Sequence, residues 1–354
     1  MGDAQTSKDS TTKATTAATP TVKRALQKRS GLDIASDYLQ TAWLLLTVTV
    51  ALLFSIIYTI FAAFKCLVPR KFRRHDITGK VVLITGGGSG IGRLVIQRLA
   101  AKGAKVVTWD VNEAGNAETV RLLQEAGYEC YADTVDICNK EAVYKSARSL
   151  TDRGLQVDIL INNAGIVTGR NFLESPDEYV VRTFQVNVIS HFWTAKAFLP
   201  AMLKSNSGHI VTIASMAGKV GVNKLIDYCA SKFATVGFDE SLRAELMVNK
   251  KDGVFTTLVC PYYINTGMFD GVRSKLIPIL EPEFVADEIV DGILLRSKEV
   301  VLPWYSNVFV WLKLLLHYDA QKFMLCKVTG VSKCLDGFVG RTPPTLQLNG
   351  TSEP

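Results

Sequence analysis

The stretch DYCASK, residues 227–232, places a tyrosine four positions before a lysine, with only small residues between them. On a helix, side chains at this spacing point from one face, so Tyr228 and Lys232 would be neighbours. A free tyrosine has a pKa near 10, and a neighbouring ammonium group lowers it by favouring the phenolate. Such a pair could take the proton of an alcohol that is losing a hydride. The same spacing also occurs on solvated helix faces, so other motifs are needed to distinguish the two.

A glycine-rich segment, TGGGSGIG, joins an apolar strand to an amphipathic helix. Gly86, Gly90 and Gly92 permit a tight turn and let the backbone approach a pyrophosphate at the helix N-terminus. The second strand ends at Asp110, whose carboxylate can hydrogen-bond a ribose diol and repels a 2′-phosphate. The six residues after Asp110 contain no Lys or Arg that could attract such a phosphate. These features predict NAD as the cofactor, in preference to NADP.

Composition excludes several other classes of site. The net charge of +7 includes a short basic block at residues 70–74, but no basic stripe interleaved with aromatic residues, so no nucleic acid partner is predicted. The seven cysteines are scattered without a CxxC pair, and the four histidines are isolated from one another. This pattern favours a reducing compartment, and it predicts neither a disulfide framework nor a metal site.

The N-terminal part of the chain has two segments of different character. Residues 1–40 begin with about thirty positions rich in Thr, Ala, Ser and Lys, and we predict a disordered tail there. Its first residues, MGDAQT, fit a loose N-myristoylation pattern. Residues 41–65 contain an uncharged apolar run that as a helix would span roughly 33 Å, close to the hydrocarbon thickness of a bilayer. It is too far from Met1 for a signal peptide. We predict a membrane anchor helix, the alternative being a buried core helix.

Basic residues flank the anchor unequally. Within about fifteen residues, two precede it and five follow it: Lys28 and Arg29, then Lys65, Arg70, Lys71, Arg73 and Arg74. The positive-inside rule then leaves the large C-terminal domain in the cytosol. A full span in the endoplasmic reticulum membrane and a half-inserted helix on a lipid droplet have the same sequence features, and both remain open.

From Thr78 onward, short apolar strands alternate with amphipathic helices. The predicted strands are 80–86, 105–110, 129–135, 157–165, 208–215 and 254–260, and the predicted helices are 91–103, 117–126, 139–152, 177–203 and 226–249. Near-continuous apolar strands indicate a parallel sheet covered on both faces, hence a doubly wound α/β fold over residues 76–303. Residues 304–354 are predicted as an apolar helical segment with a flexible tail. The Trp- and Leu-rich stretch 301–317 could be an interfacial helix or a cap over the substrate pocket.

Taken together, the motifs resemble those of the short-chain dehydrogenase/reductase family, which has a Rossmann-type fold. The resemblance covers about residues 78–303 and includes TGxxxGxG, NNAG at 162–165, Asn187, Ser215 and the YxxxK of the opening stretch. It implies that Tyr228 is the catalytic base and that Lys232 also holds the nicotinamide ribose. It further implies that Ser215 hydrogen-bonds the substrate oxygen and that Asn187 positions a water in a proton relay.

The resemblance also implies a set of cofactor-binding positions: Gly86, Ser89, Gly90, Ile91, Gly92, Asp110, Asp136, Asn163, Gly165, Val188, Tyr228, Lys232, Pro261 and Thr266. One position departs from the family pattern, since Tyr262 follows Pro261 where glycine is frequent. A tyrosine turns less freely, so the loop there is expected to differ. Family members form dimers through the two long helices, and a homodimer is expected here.

The segment 266–284 occupies the position of the family's variable substrate loop and is rich in apolar residues. These residues could form lid packing, but together with a membrane anchor they favour a lipophilic substrate. The anchor, the basic juncture and the CPYYINTGMF stretch resemble the branch that holds retinol dehydrogenases and lipid-droplet 17β-hydroxysteroid dehydrogenases. The first expectation is NAD-dependent oxidation of all-trans-retinol to retinal. The alternatives are a hydroxysteroid substrate and a non-catalytic membrane scaffold that retains NAD binding.

Overall fold

The computed structural model describes residues 31–328, 330 and 333–339, which belong to two compact units divided after Pro69. The described residues of the first unit form the helix α1 (Gly31–Leu67). Its stretch Ala35–Phe61 has a mean hydropathy of 2.5 and no buried residues, so α1 is long and apolar enough to cross a membrane. The helix includes residues 31–40, which were expected to be disordered. Extending an existing helix costs little, and this segment lacks proline. The myristoylation pattern lies outside the described residues.

The second unit is built on a sheet of seven parallel strands in the order β3-β2-β1-β4-β5-β6-β7. The strands are β1 (Val81–Thr85), β2 (Lys105–Asp110), β3 (Cys130–Thr134), β4 (Ile159–Asn162), β5 (Gly208–Ile213), β6 (Val254–Pro261) and β7 (Glu299–Leu302). This confirms the doubly wound α/β fold. The strand order reverses between β1 and β4, and in such sheets ligands bind in the crevice at that point, beyond the carboxyl ends of the strands.

Helices cover both faces of the sheet. They are α2 (Arg70–Arg73), α3 (Gly90–Ala100), α4 (Glu113–Glu125), α5 (Lys140–Asp152), α6 (Asp177–Phe184), α7 (Ser190–Ser205), α8 (Ile226–Val248) and α9 (Pro282–Leu294). Successive side chains of β1 point to opposite faces of the sheet, as the pleat of a strand requires. Val82 and Ile84 pack with α3 and α9, whereas Leu83 packs with α5 and α7. Strand β7 and helix α9 were not among the predicted elements.

The predicted helix over 177–203 is interrupted. Residues Gln185–Ile189 form a wider π-helical turn between α6 and α7, with Asn187 at its centre. Single π-type turns inside α-helices are rare and are often found at functional sites. The periodicity of the sequence gave no sign of this turn.

The C-terminal segment is partly helical and partly packed on the domain. Helices α10 (Asn307–Leu315) and α11 (Tyr318–Phe323) follow a short 3₁₀ turn, Trp304–Ser306. Residues 333–339 then form a strap in which Cys334 and Leu335 are buried. The strap pairs with the loop after β6, since Arg273 N donates to Cys334 O at 2.9 Å and Val339 N donates to Asp270 O at 2.9 Å. The expectation of a flexible tail is therefore wrong for residues 333–339.

Candidate active site

Tyr228 and Lys232 lie on the first turns of α8 and are both almost completely buried. The Lys232 amino group lies 5.7 Å from the centroid of the Tyr228 ring, which places the two side chains on one helix face, as predicted. Lys232 Nζ donates a hydrogen bond to the backbone oxygen of Ile213 at 2.9 Å. This bond anchors the amine at the carboxyl end of β5.

Burial moves the pKa values of this pair in opposite directions. The pKa of Tyr228 is raised, chiefly by loss of solvation, while a hydrogen bond with Ser215 opposes the rise. Loss of solvation lowers the pKa of Lys232 to about 8. The expected lowering of the tyrosine pKa by the lysine is therefore not the dominant effect in the protein alone. In an apolar wall, each side chain resists its charged form.

Ser215 lies two residues after the end of β5 and has an extended backbone. Its Oγ accepts a hydrogen bond from Ala217 N at 3.1 Å and donates to Pro261 O at 3.4 Å. These contacts hold the hydroxyl between the ends of β5 and β6, where it also reaches Tyr228. The two oxygen atoms can therefore contact one substrate atom together.

Asn187 is fully buried and its side chain is occupied by protein partners. Its Oδ1 accepts from Ile166 N at 2.9 Å, and its Nδ2 donates to Ile166 O and Ser231 Oγ, both at 3.0 Å. The Asn187 backbone oxygen accepts from Thr235 at 2.8 Å. The side chain thus ties the loop after β4 to α8. The water-positioning role implied by the resemblance stays a prediction.

The glycine turn fits a diphosphate group. Gly86 has φ +70°, a conformation that favours glycine, and a Cβ at Gly92 would lie 2.1 Å from the Gly86 carbonyl oxygen. Helix α3 begins directly after Ser89, which makes no side-chain capping bond, and its first turn carries no acidic residue. The backbone N–H groups of its first turn and the positive end of its dipole can therefore bind an anion.

The neighbouring loop after β4 secures this turn. Asn163 Nδ2 donates to Thr85 O at 2.9 Å and to Gly86 O at 3.2 Å. Gly165 lies beside the pair described above, since a Cβ there would be 3.6 Å from Lys232 Nζ. The NNAG motif thus fixes the glycine turn and leaves room next to the lysine.

Asp110 ends β2 beside the glycine turn. Its two carboxylate oxygens accept from Gly88 N and Asn112 N, each at 2.9 Å. The nearby Arg93 is occupied by backbone oxygens, including Gly115 O at 3.2 Å, and by Thr119 Oγ1 at 2.9 Å. The site thus presents a carboxylate, with the adjacent guanidinium bound to the protein. This arrangement suits a ribose diol.

One cavity of about 1290 Å³ connects these features. It is lined by every predicted site residue except Asn187 and Val188: Gly86, Ser89, Gly90, Ile91, Gly92, Asp110, Asp136, Asn163, Gly165, Ser215, Tyr228, Lys232, Pro261 and Thr266. Val186 lines it where Val188 was expected. Residues two apart on a helical turn point in different directions, so only one of the two valines can face the cavity.

The far end of the cavity is walled by aromatic rings. Phe269 lies with its ring centroid 5.8 Å from that of Tyr228 and 5.0 Å from that of Tyr263. Phe338 of the strap approaches Phe269 at 6.4 Å, and Phe309 of α10 lines the same space. Phe309 lies in the segment for which a cap over the substrate pocket was one expectation. Sequence reasoning singled out neither Phe309 nor Phe338 as a residue, because the local pattern does not show which side chains reach residues so distant in the chain.

Comparison with known proteins agrees with this geometry. The family model described as "short chain dehydrogenase" matches residues 80–276, more than half of the chain. The chain belongs to the short-chain dehydrogenase/reductase family. It is an oxidoreductase of a family that uses nicotinamide cofactors.

Among curated relatives, short-chain dehydrogenase/reductase family 16C member 6 of Bos taurus is 47% identical over 78% of this chain and 87% of its own length. Epidermal retinol dehydrogenase 2 of Mus musculus is 44% identical over 85% of this chain and 94% of its own. Estradiol 17-beta-dehydrogenase 11 of Homo sapiens is 41% identical over 78% and 90%. By their names, the second of these relatives is a retinol dehydrogenase and the third an estradiol 17-beta-dehydrogenase.

Solved structures show the same fold. A short-chain dehydrogenase/reductase from Burkholderia phymatum in complex with NAD has a TM-score of 0.62 and 30% identity, over 68% of this chain and 94% of that one. Actinorhodin polyketide ketoreductase with NADPH has a TM-score of 0.58 and 29% identity, over 63% and 95%. One neighbour carries NAD and the other NADPH, so the fold alone accommodates both.

Proposed function

We propose that the protein oxidises a lipophilic alcohol with NAD at a membrane, with all-trans-retinol to retinal as the first candidate reaction. The observation that carries this proposal is the position of Tyr228. Its ring lies between the polar, glycine-lined part of the cavity and the wall formed by Tyr263, Phe269 and Phe338. A long apolar molecule can fill the aromatic end while its hydroxyl reaches the tyrosine.

The residues present fit a dinucleotide. The turn at Gly86–Gly92 and the start of α3 would hold the pyrophosphate, Asp110 the adenosine ribose, and Lys232 the nicotinamide ribose. Bound NAD supplies a hydride acceptor whose oxidised ring carries a positive charge. Asp136, which accepts from Cys138 N at 3.0 Å and lines the cavity, would lie near the adenine, as the family resemblance implies.

The chain's own side chains would then handle the proton. Tyr228 takes the hydroxyl proton of the alcohol, and the cation of Lys232 favours the phenolate that accepts it. Ser215 hydrogen-bonds the substrate oxygen and so stabilises the charge that develops there. Asn187 acts by position, since its side chain clamps the loop after β4 against α8.

Preference for NAD is supported by the charge at the end of β2. A 2′-phosphate would lie close to the Asp110 carboxylate and be repelled by it. Arg93 donates to Gly88, Gly115 and Thr119 and is not free to compensate. The neighbour from Burkholderia phymatum, which carries NAD, is consistent with this preference.

The membrane part of the proposal rests on α1. Its 27-residue apolar stretch is fully exposed in the first unit, as a lipid-facing helix would be. The basic residues after α1 favour a cytosolic catalytic domain, on the endoplasmic reticulum or a lipid droplet. We also propose that the protein forms a homodimer, as the family implies.

A 17β-hydroxysteroid is the second candidate substrate, favoured by the identity to estradiol 17-beta-dehydrogenase 11. Its flat apolar ring system would fill the same aromatic end of the cavity. A scaffold that only binds NAD is the third possibility. The closely packed arrangement of Tyr228, Lys232 and Ser215 favours catalysis over it.

Steady-state kinetics on membranes carrying the full chain would test the proposal. Retinol and a 17β-hydroxysteroid are each supplied with NAD and with NADP, to the wild type and to Tyr228→Phe. Retinal formation with NAD, lost in the variant, is the expected result. Turnover of the steroid without turnover of retinol would make the 17β-hydroxysteroid the substrate. Retained NAD binding without turnover of either alcohol would contradict both candidate reactions and favour the scaffold.

A further inference from the structure

Helix α10 is apolar on the side that packs against the domain. Phe309 lines the substrate cavity, and Val310 packs on a buried cluster that includes Met216 and Val301. Lys313 bends back toward the domain, donating to Lys219 O at 3.1 Å. This side of α10 is therefore fixed to the catalytic unit and forms part of the cavity wall.

The opposite side of the same helix is also apolar, and it is exposed. Trp311 is 64% exposed and Leu315 is 79% exposed, while Trp304 in the preceding turn is 78% exposed. We call these residues, together with Val308, Leu314, Tyr318 and Phe323, the outer face. A helix on a water-facing surface normally turns a polar side outward, so this outer face calls for a covering partner.

The charges around the outer face indicate what that partner is. Lys313 is turned toward the domain, which leaves Lys322 and Lys327 and one acidic residue, Asp319, in residues 304–328, a net charge of +1 (2 − 1). Tryptophan and tyrosine prefer the headgroup level of a bilayer, and lysines are attracted to anionic lipids. A second copy of this surface would bring lysines against lysines, which disfavours self-association through it.

We infer that the outer face of α10 and α11 lies in the interfacial layer of the membrane. Phe309 on the same helix lines the cavity, so α10 would separate the cavity from the lipid, with one side facing each. A lipophilic substrate can then pass between bilayer and cavity without crossing water. The substrate route rests on the proposed function, whereas the lipid contact does not.

Quenching of tryptophan fluorescence by brominated lipids tests the contact directly. The full chain is placed in vesicles of phosphatidylcholine and phosphatidylserine, with and without brominated acyl chains. Trp43→Phe removes the tryptophan of α1, and the comparison is with Trp43→Phe combined with Trp304→Phe and Trp311→Phe. The expected result is strong quenching in the first protein that is lost in the second. Trp109, which is fully buried, and Trp193 on α7 remain in both proteins and give the common background signal.

Equal quenching in the two proteins would overturn the inference. The inference would also be overturned if Trp304 and Trp311 became protected from a water-soluble quencher only as the protein concentration rises. That result would assign the outer face to a contact with a second copy. Quenching of these tryptophans without turnover of either alcohol would support the lipid contact while contradicting the proposed reaction.

The substrate route has a separate test with a matched control. Leu314→Glu with Leu315→Glu should lower kcat/KM for a membrane-dissolved alcohol by about tenfold, because charged residues resist insertion. Turnover of a short water-soluble alcohol should be unchanged. Val248→Glu changes an exposed apolar residue at the distant end of α8 and should alter neither. Equal losses for both alcohols in the double variant would contradict the route.

Discussion

Lys232 is a buried cation whose position costs folding free energy when it is charged. Burial lowers its pKa from 10.5 to about 8. Between these two values the unfolded chain binds a proton at Lys232 that the folded chain does not, so the contribution of Lys232 to the free energy of unfolding rises as the pH increases. The charged lysine therefore lowers the free energy of unfolding near neutral pH. A ligand that accepts hydrogen bonds from the Lys232 ammonium group would offset this cost.

Between pH 8 and pH 9.5, Lys232 should add about 1–2 kcal/mol to the pH-dependent change in the free energy of unfolding of the cofactor-free protein. Burial raises the pKa values of Cys130, Cys229 and Cys260, which act in the opposite sense over the same window. The test is therefore a difference: Lys232→Met should make this change more negative than in the wild type by that amount, because it removes only the lysine's contribution. The window ends below pH 10, where the raised pKa of Tyr228 acts in the opposite sense. Urea denaturation at each pH measures the effect. Lys196→Met, an exposed lysine on α7, should keep the wild-type slope, and an unchanged slope in Lys232→Met would contradict the assignment.

Asp110→Asn tests cofactor choice at one atom. The amide keeps the size of the side chain but removes the negative charge that repels a 2′-phosphate. The ratio of kcat/KM with NAD to kcat/KM with NADP should fall by about tenfold or more, roughly 1.4 kcal/mol. Asp133→Asn on the adjacent strand is the control, since its carboxylate is bound to Arg153 and does not line the cavity. An unaltered ratio in Asp110→Asn would remove the basis for the NAD preference.

The sequence predicted well which residues lie in the candidate site, but it predicted poorly how buried they are and how burial changes their pKa values. Tyr228, Lys232 and Ser215 converge as the motif spacing indicates. The direction of the tyrosine pKa shift was wrong for the protein alone, because it depends on burial by aromatic residues far away in the chain. The same holds for Val188, whose direction depends on a helical turn that no local pattern reveals.

The turn between β1 and α3 can form only because its key residues are glycines, which have no side chain. Gly92→Ala would place a methyl group 2.1 Å from the Gly86 carbonyl oxygen, which is backbone and cannot move cheaply. We expect loss of dinucleotide binding and a destabilisation of about 2 kcal/mol or more. Titration calorimetry with NADH and thermal unfolding measure the two effects.

The matched control for that change is Gly237→Ala. A Cβ at Gly237, in the interior of α8, meets nothing within 4 Å. Alanine is the better helix former, so this variant should gain roughly 0.5–1 kcal/mol and keep its affinity for NADH. Similar losses in both variants would show that the close approach at Gly92 is not the cause.

Elements with long apolar runs were predictable, and those defined by tertiary contacts were not. Six strands were predicted close to their observed positions because parallel strands are apolar on both faces. Strand β7 is only four residues long and begins with the exposed Glu299, so it carries little pattern. The strap 333–339 lacks periodicity altogether and is ordered by its pairing with the loop after β6.

For the whole molecule, the charge asymmetry around α1 predicts an orientation that glycosylation can report. Asn349-Gly350-Thr351 is an acceptor sequence beyond the described residues. With the catalytic domain in the cytosol, it should carry no glycan. Lys8→Asn creates a second acceptor, Asn-Asp-Ser, before the anchor. If α1 spans the membrane, that site lies in the lumen and should be modified, which an endoglycosidase mobility shift detects.

The two acceptor sites together separate three arrangements. A glycan at position 8 alone indicates a full span with a cytosolic domain. A glycan at Asn349 would reverse the orientation and contradict the proposed location. Absence at both positions would indicate a half-inserted helix, as on a lipid droplet, since both ends then stay in the cytosol.

The strap also has a consequence for the order in which the protein is made. Chains fold from the N-terminus as they are synthesised, and the dinucleotide-binding half is complete long before residues 333–339 exist. Phe338 can pack over Phe269 only after residues 333–339 have been synthesised. A nascent enzyme would therefore acquire its cofactor site first and the closed end of its substrate cavity last. Messages with a late premature stop would direct the synthesis of a folded domain whose substrate cavity stays open at one end.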